Sequence, residues 1–113
     1  MSILNSHGPC RGLTLWKRGN KRVEIWLIPA NYSIVPHSHP REDVELMYLF
    51  GDAAFYRQDS NGNVEEFSPK WLRDFGRKFS VKHFHTHWFS VSKWPLVFIN
   101  FQTFRDGATP VSA

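Results

Sequence analysis

Apolar residues in this chain recur at every second position, in short runs divided by turn-forming residues. That is the period of β-strands with one face buried, not the three-to-four spacing of an amphipathic helix. Leu13, Leu15 and Lys17 alternate with Thr14 and Trp16 as a first strand. Gly19-Asn20 marks a turn, and Val23 to Ile28 returns as the other arm of a hairpin. Pro29-Ala30-Asn31 breaks it, Tyr32 to Val35 is short and β-prone, and Arg41-Glu42-Asp43 reads as a polar turn before the apolar strand Val44 to Phe50. Ala53 to Gln58 and Val64 to Phe67 flank Asp59-Ser60-Asn61-Gly62-Asn63, whose Asn-Gly accepts positive φ, so they form a second hairpin. Ser68-Pro69 opens an irregular stretch, Lys70 to Arg77, in which Trp71, Leu72 and Phe75 are grouped at the spacing of one helical turn. Phe79 to Val91 alternates without interruption and predicts one long strand, and Leu96 to Phe104 follows the turn Lys93-Trp94-Pro95. Residues 1–10 read as an arm and 106–113 as a tail.

Eight or so short strands at regular turn spacing predict an all-β fold, an antiparallel barrel or two-sheet jelly roll, in a single domain over 1–113 with its core at about 13–104. The chain has 113 residues, and its 10 Phe, 5 Trp and 3 Tyr suit a small interior filled by a few large rings. Trp16, Trp26, Trp71 and Trp88 are expected in the core or capping the barrel, with stacking on a ligand as the functional reading. Tyr48 and Tyr56 suit either buried strand positions or a cavity wall, and Arg57 reads as a solvent-facing strand residue or a clamp for a carboxylate or phosphate.

The single cysteine, Cys10, excludes an intrachain disulfide and a cysteine-rich zinc site. With no basic segment followed by an apolar run and no stretch of ~18 apolar residues, a cytoplasmic protein without membrane contact is expected. Lys and Arg number 14 against 10 Asp and Glu, a formal charge of +4. That balance favours an anionic small-molecule ligand, whereas no recognition motif supports nucleic acid as a partner.

Five of the six histidines fall in two clusters, His37-Ser38-His39 and His83-Phe84-His85-Thr86-His87. Residues two apart on a strand share a face, so each cluster aims its imidazoles one way. Facing strands would then supply three or more nitrogen ligands to a transition metal. A strand rises ~3.3 Å per residue, which separates His83 and His87 by ~13 Å, so at most two neighbours of that trio reach the ion held by His37 and His39.

The run Pro36-His37-Ser38-His39-Pro40-Arg41-Glu42-Asp43-Val44-Glu45, closing at Gly51, resembles the first motif of the cupin superfamily: two histidines one residue apart, a glutamate, and a strand ending in glycine. His87-Trp88-Phe89, followed by Trp94-Pro95 and Val97 to Phe101, is similar to the second. The resemblance covers roughly residues 13 to 104. It implies a double-stranded β-helix whose metal is bound by His37, His39 and His87 with a glutamate as fourth ligand, and a small molecule held at the barrel mouth. It also implies a divalent metal such as Fe, Mn, Ni or Zn, and a function ranging from oxygenase or isomerase to non-catalytic ligand binding. One departure stands out: the position four past His39 is Val44. Glu45 lies one residue late, which turns it to the other face unless a bulge corrects it. Glu45 is the first candidate for the acid and Glu42 the second, Asp43 flanks the same spot, and a three-histidine site is the alternative. His85 and His83 are the candidate catalytic groups, as general acid–base imidazoles. A homodimer is expected, with Leu13 to Ile28 as a hairpin that could be exchanged.

Overall fold

In a computed structural model of the chain, residues 4–7, 9–39, 41–82 and 85–105 are described, the first four by their backbone. Ten strands occur among them: β1 (Leu4–His7), β2 (Cys10–Arg18), β3 (Lys21–Ile28), β4 (Tyr32–His37), β5 (Glu42–Phe50), β6 (Ala53–Gln58), β7 (Val64–Phe67), β8 (Lys78–Val81), β9 (Thr86–Val91) and β10 (Leu96–Phe104). They pair antiparallel in a six-stranded sheet, ordered β1-β2-β3-β10-β5-β8, and a four-stranded sheet, ordered β4-β9-β6-β7. This is the two-sheet barrel that the alternation predicts. No helix long and apolar enough to cross a membrane occurs among the described residues.

Alternation decides what each strand buries. On β10, Leu96, Phe98, Gln102 and Phe104 point inward and are buried, while Val97, Ile99, Phe101 and Thr103 point outward. Phe55 sits at the centre of the interior. Its ring lies 5.5 Å from Phe89, 5.9 Å from Phe67, 6.1 Å from Phe79 and 6.3 Å from Phe98, centroid to centroid. Such contacts hold the sheets together through large apolar area and edge-to-face or offset geometry. Tyr48, 1% exposed, closes one end and donates its hydroxyl hydrogen to the Gly51 carbonyl at 2.6 Å. Of the tryptophans, Trp26 packs against the core, Trp88 stacks on Tyr56 on the outer face of the small sheet, and Trp16 and Trp71 stay about half exposed.

Four expectations need correction. The arm expected at 1–10 contains a strand: β1 pairs with β2 from Leu4↔Leu13 to His7↔Cys10, and Cys10 is buried. Low hydrophobicity hid it, because an edge strand needs only backbone partners. The stretch 70–77 is a series of turns rather than a helical turn. The buried Asp74 holds it, accepting from the Lys70 amide, Arg73 and Arg77, and these donors bring its pKa down to about 2. The polar turn expected at 41–43 is already strand from Glu42 onward. Lastly, Phe79 to Val91 is two strands. β8 belongs to the large sheet and β9 to the small one, with a turn between them in which the His85 amide donates to the Lys82 carbonyl. Phe79, Val81, Phe89 and Val91 are all buried in the same interior from opposite sheets, so the apolar period passes through the turn unbroken.

Gly51 joins β5 to β6 with φ +119, and a Cβ there would lie 2.2 Å from the Pro95 carbonyl oxygen. Both the backbone conformation and the space require glycine. Gly51→Ala is expected to lower the unfolding free energy by about 2–4 kcal/mol, read from the midpoint of a urea denaturation curve.

Candidate metal centre

Strand β4 enters the small sheet with Tyr32 opposite Val91 and Ile34 opposite Phe89, both inward-facing pairs. Strict alternation would send the odd-numbered His37 outward. Instead the register shifts between Ile34 and His37, so that three steps along β4 match two along β9 and His37 stands opposite His87. This is a β-bulge, with one extra residue re-aiming the next side chain. It falls at Val35-Pro36, where proline has no N–H to lose from the ladder and Val35 is 73% exposed. His87 stands in turn opposite Arg57, and Arg57 opposite Glu65. One cross-strand row of the small sheet therefore reads His37, His87, Arg57, Glu65, one step beyond the aromatic row Ile34, Phe89, Phe55, Phe67.

His39, just past the end of β4, completes the group. Ring centroids are 4.2 Å apart for His37–His87, 4.9 Å for His37–His39 and 5.0 Å for His39–His87. One nitrogen from each ring lies within 4.8 Å of the others, a spacing that can hold a metal ion. In each ring Nδ1 faces an oxygen, at hydrogen-bond distance in His37 and His87. Nδ1 of His37 lies 2.8 Å from the Val35 carbonyl, Nδ1 of His87 3.3 Å from the His85 carbonyl, and Nδ1 of His39 3.6 Å from a Glu42 carboxylate oxygen. A carbonyl has no proton to give, so in His37 and His87 the hydrogen bond places the proton on Nδ1 and leaves Nε2 with its lone pair. Oxygen partners that fix tautomer and ring direction in this way are characteristic of metal-ligating histidines.

The protonation state also suits a metal. Burial, with help from neighbouring His37, lowers the His87 pKa to about 4. Burial likewise lowers that of His39, against the opposing pull of Glu42. These two imidazoles are therefore neutral at pH 7, the form that donates an electron pair.

The acid beside the histidines is Glu42. It occupies the first residue of β5, faces the interior, and accepts a hydrogen bond from Gln102 Nε2 at 3.1 Å. Glu45, expected first, is turned away. It is three residues further along the same strand, β5 has no bulge between them, and odd separation on a strand means opposite faces. Its carboxylate accepts from Ser80 at 3.0 Å and pairs with Lys78 at 3.5 Å, outside the histidine group. Asp43, on the outward side, pairs with Arg105.

His85 lies between β8 and β9 and is not part of the triad, although its carbonyl orients His87. The predicted role of His83 concerns a position outside the described residues. Arg57 is not a solvent-facing residue. Its guanidinium lies over the Phe79 ring at 4.6 Å, forms a two-pronged pair with Glu65 and donates to the Ser80 carbonyl. The residues that pattern reading missed are polar groups at inward positions of the large sheet. Arg22 donates to Gln102 at 2.7 Å, Trp26 donates to Glu24 at 3.2 Å, and both Arg22 and Glu24 are buried. Strand parity would have marked them, since they alternate with outward Val23 and Ile25. A concavity of about 670 Å³, whose walls include Trp16, Val23, Phe101 and Glu45, does not include the histidines.

No family model matches this sequence, and no curated protein matches it. Solved structures do. KdgF from a Halomonas species superposes with a TM-score of 0.72 at 15% identity, over 92% of this chain and 87% of that one. A protein with a double-stranded β-helix domain from Klebsiella pneumoniae gives 0.66 at 17% identity, over 96% and 88%. Oxalate decarboxylase from Lactobacillus farciminis, in a formate complex, gives 0.72 at 10% identity over 95% of this chain, which spans 32% of that enzyme. The chain has the cupin fold, a double-stranded β-helix. At these identities the likeness is one of fold, and function has to be argued from the site.

Because His87 has a pKa of about 4 when folded and an ordinary value of 6.5, the unfolded chain takes up a proton that the folded one refuses between those values. The stability this histidine contributes is complete above about pH 6.5 and is lost as pH falls toward about 4. The melting temperature of the metal-free protein is expected to drop over that window, and His87→Phe to flatten the drop.

Proposed function

We propose that this protein binds one divalent first-row transition metal through His37, His39 and His87, with Glu42 as the neighbouring carboxylate, and holds a small anionic molecule at the barrel mouth. The observation that carries the reading is the set of three imidazoles within 4.8 Å, each with Nδ1 facing an oxygen. Three imidazoles suit Fe, Mn, Ni or Zn, and fewer than six protein donors leave positions for a ligand. When bound, such an ion supplies a Lewis acid that polarises an oxygen of that ligand.

The chain's own residues divide the remaining work. Val35 and His85 carbonyls hold two of the rings in register, and Gln102 holds Glu42 against the third. Arg57, directly opposite His87, brings its guanidinium to the same row but is held by Glu65, so the preference for an anionic ligand rests on the formal charge of +4. The three-imidazole set is a binding feature, so capture of a small anion is the function the geometry supports best.

Elemental analysis and titration calorimetry test the reading. The wild type is expected to take up one metal per chain. His39→Ala and His87→Ala are expected to lose stoichiometric uptake with an unchanged far-UV spectrum. Glu42→Gln is expected to weaken binding by about 10–100-fold, and Glu45→Gln to leave it unchanged. Wild-type protein that neither carries nor takes up a transition metal would contradict the assignment. Deleting Val35 removes the extra residue of the bulge, restores plain alternation and turns His37 outward. The deletion is expected to match His37→Ala in calorimetry.

A further inference from the structure

The end of the barrel away from the histidines holds large apolar side chains in water. Strand β5 begins at Glu42, beside the triad, and ends at Phe50, ~26 Å further on at ~3.3 Å per residue. Two turn segments border that far end. In the turns at 71–76 the Gly76 amide donates to the Tyr48 carbonyl, and the Trp71 ring meets Phe50 edge-on at 5.3 Å. In the turn before β10 the Trp94 carbonyl accepts from the Asp52 amide. Trp71 is 58% exposed, Leu72 72%, Phe75 63% and Trp94 60%. Clustered exposure of large apolar groups, rimmed by polar ones, marks an interaction site. Leu72 also has φ +69, the left-handed region that a residue with a Cβ adopts only at a cost. Asp74 closes the chain around it, accepting from the Lys70 amide and donating its own amide to the Lys70 carbonyl. The fold thus keeps an apolar side chain in solvent against the preference of its own backbone.

We infer that this end docks on an anionic lipid membrane, with Trp71, Leu72, Phe75 and Trp94 entering the headgroup region. Charge selects the partner. Lys70, Arg73, Arg77 and Lys93 lie on or beside the same turns and are exposed, against two acids, Asp74 and Asp52. Asp74 is buried and shared by both arginines, so it neutralises only one of them. The surplus is positive, and apolar side chains ringed by lysine and arginine are the composition of segments that lie in an anionic interface. Shape points the same way. The four side chains stand on turns rather than along a groove, so they offer a lipid interface something to take in and a peptide no channel to lie in. Tryptophan, an apolar body with one N–H, suits headgroup depth. Such a contact needs no spanning segment, and it departs from the expectation of a protein without membrane contact. It leaves the histidines at the opposite end facing water, open to a dissolved ligand.

Co-sedimentation of the full chain with lipid vesicles tests the inference. Binding is expected to phosphatidylcholine vesicles containing about one quarter phosphatidylserine, not to phosphatidylcholine alone, and to fall as salt is raised. Lys70→Ala and Lys93→Ala are each expected to weaken it about 5-fold. The double variant Trp71→Ala, Phe75→Ala is expected to abolish it with an unchanged far-UV spectrum. Leu72→Gly relieves the positive φ, so it is expected to unfold no earlier than the wild type and yet to bind vesicles more weakly. These variants are expected to take up metal as the wild type does, which separates this surface from the histidine site. Trp16→Ala, at a half-exposed position on the large sheet, is expected to leave vesicle binding unchanged. No binding to the anionic vesicles at low salt, equal binding to both kinds, or undiminished binding by folded Leu72→Gly would each overturn the inference. So would capture by polyglutamate without capture by vesicles, which would assign the surface to an acidic protein.

Discussion

The site depends on one inserted residue. Side chains on a strand alternate strictly, and β4 as far as Ile34 turns its even-numbered residues inward. The bulge at Val35-Pro36 reverses that parity and sets His37 opposite His87. The triad lies one cross-strand row above the aromatic floor built on Phe55. The same strand that seals the core with Ile34 then opens the mouth with His37. The bulge also leaves the Val35 carbonyl free of the ladder and 2.8 Å from His37 Nδ1, so the irregularity that turns the ring also selects its tautomer.

Much of this was legible in the sequence because it follows from the two-residue period. The hairpins at Gly19-Asn20 and Asn61-Gly62 and the inward aromatic positions of β6, β9 and β10 stem from alternation and turn chemistry, and the spacing of His37 and His39 marked them as a cluster, although their meeting with His87 needs the bulge. The same period misled where it persisted through a turn. Val81 and His87 lie on different sheets, yet both are odd-numbered and both face one interior, so the pattern across Phe79 to Val91 contains no break to read. Histidines 85 and 87 were grouped for that reason, and the turn at Lys82 to His85 separates them.

Glu45 shows the opposite case. Strand parity alone turns it outward, and the structure places it there, beside Lys78 and Ser80. Glu42 flanks the expected acid position, and because β5 starts at Glu42 its inward direction follows. The buried Arg22–Gln102 and Trp26–Glu24 contacts behind it are costly to bury without partners. They occupy inward positions of strands whose outward positions are apolar, an inversion of the usual sheet pattern. The polar inward positions on β3 and β10 suit a barrel that holds a polar ligand above its aromatic floor.

The central claim is that three imidazoles meet at one ion. X-ray absorption at the metal edge of the loaded protein addresses it directly, because imidazole scattering beyond the first shell counts the histidine ligands. The account predicts three imidazole nitrogens with additional oxygen at about 2.0–2.2 Å. A shell with one imidazole or none, or one containing sulfur, would contradict it.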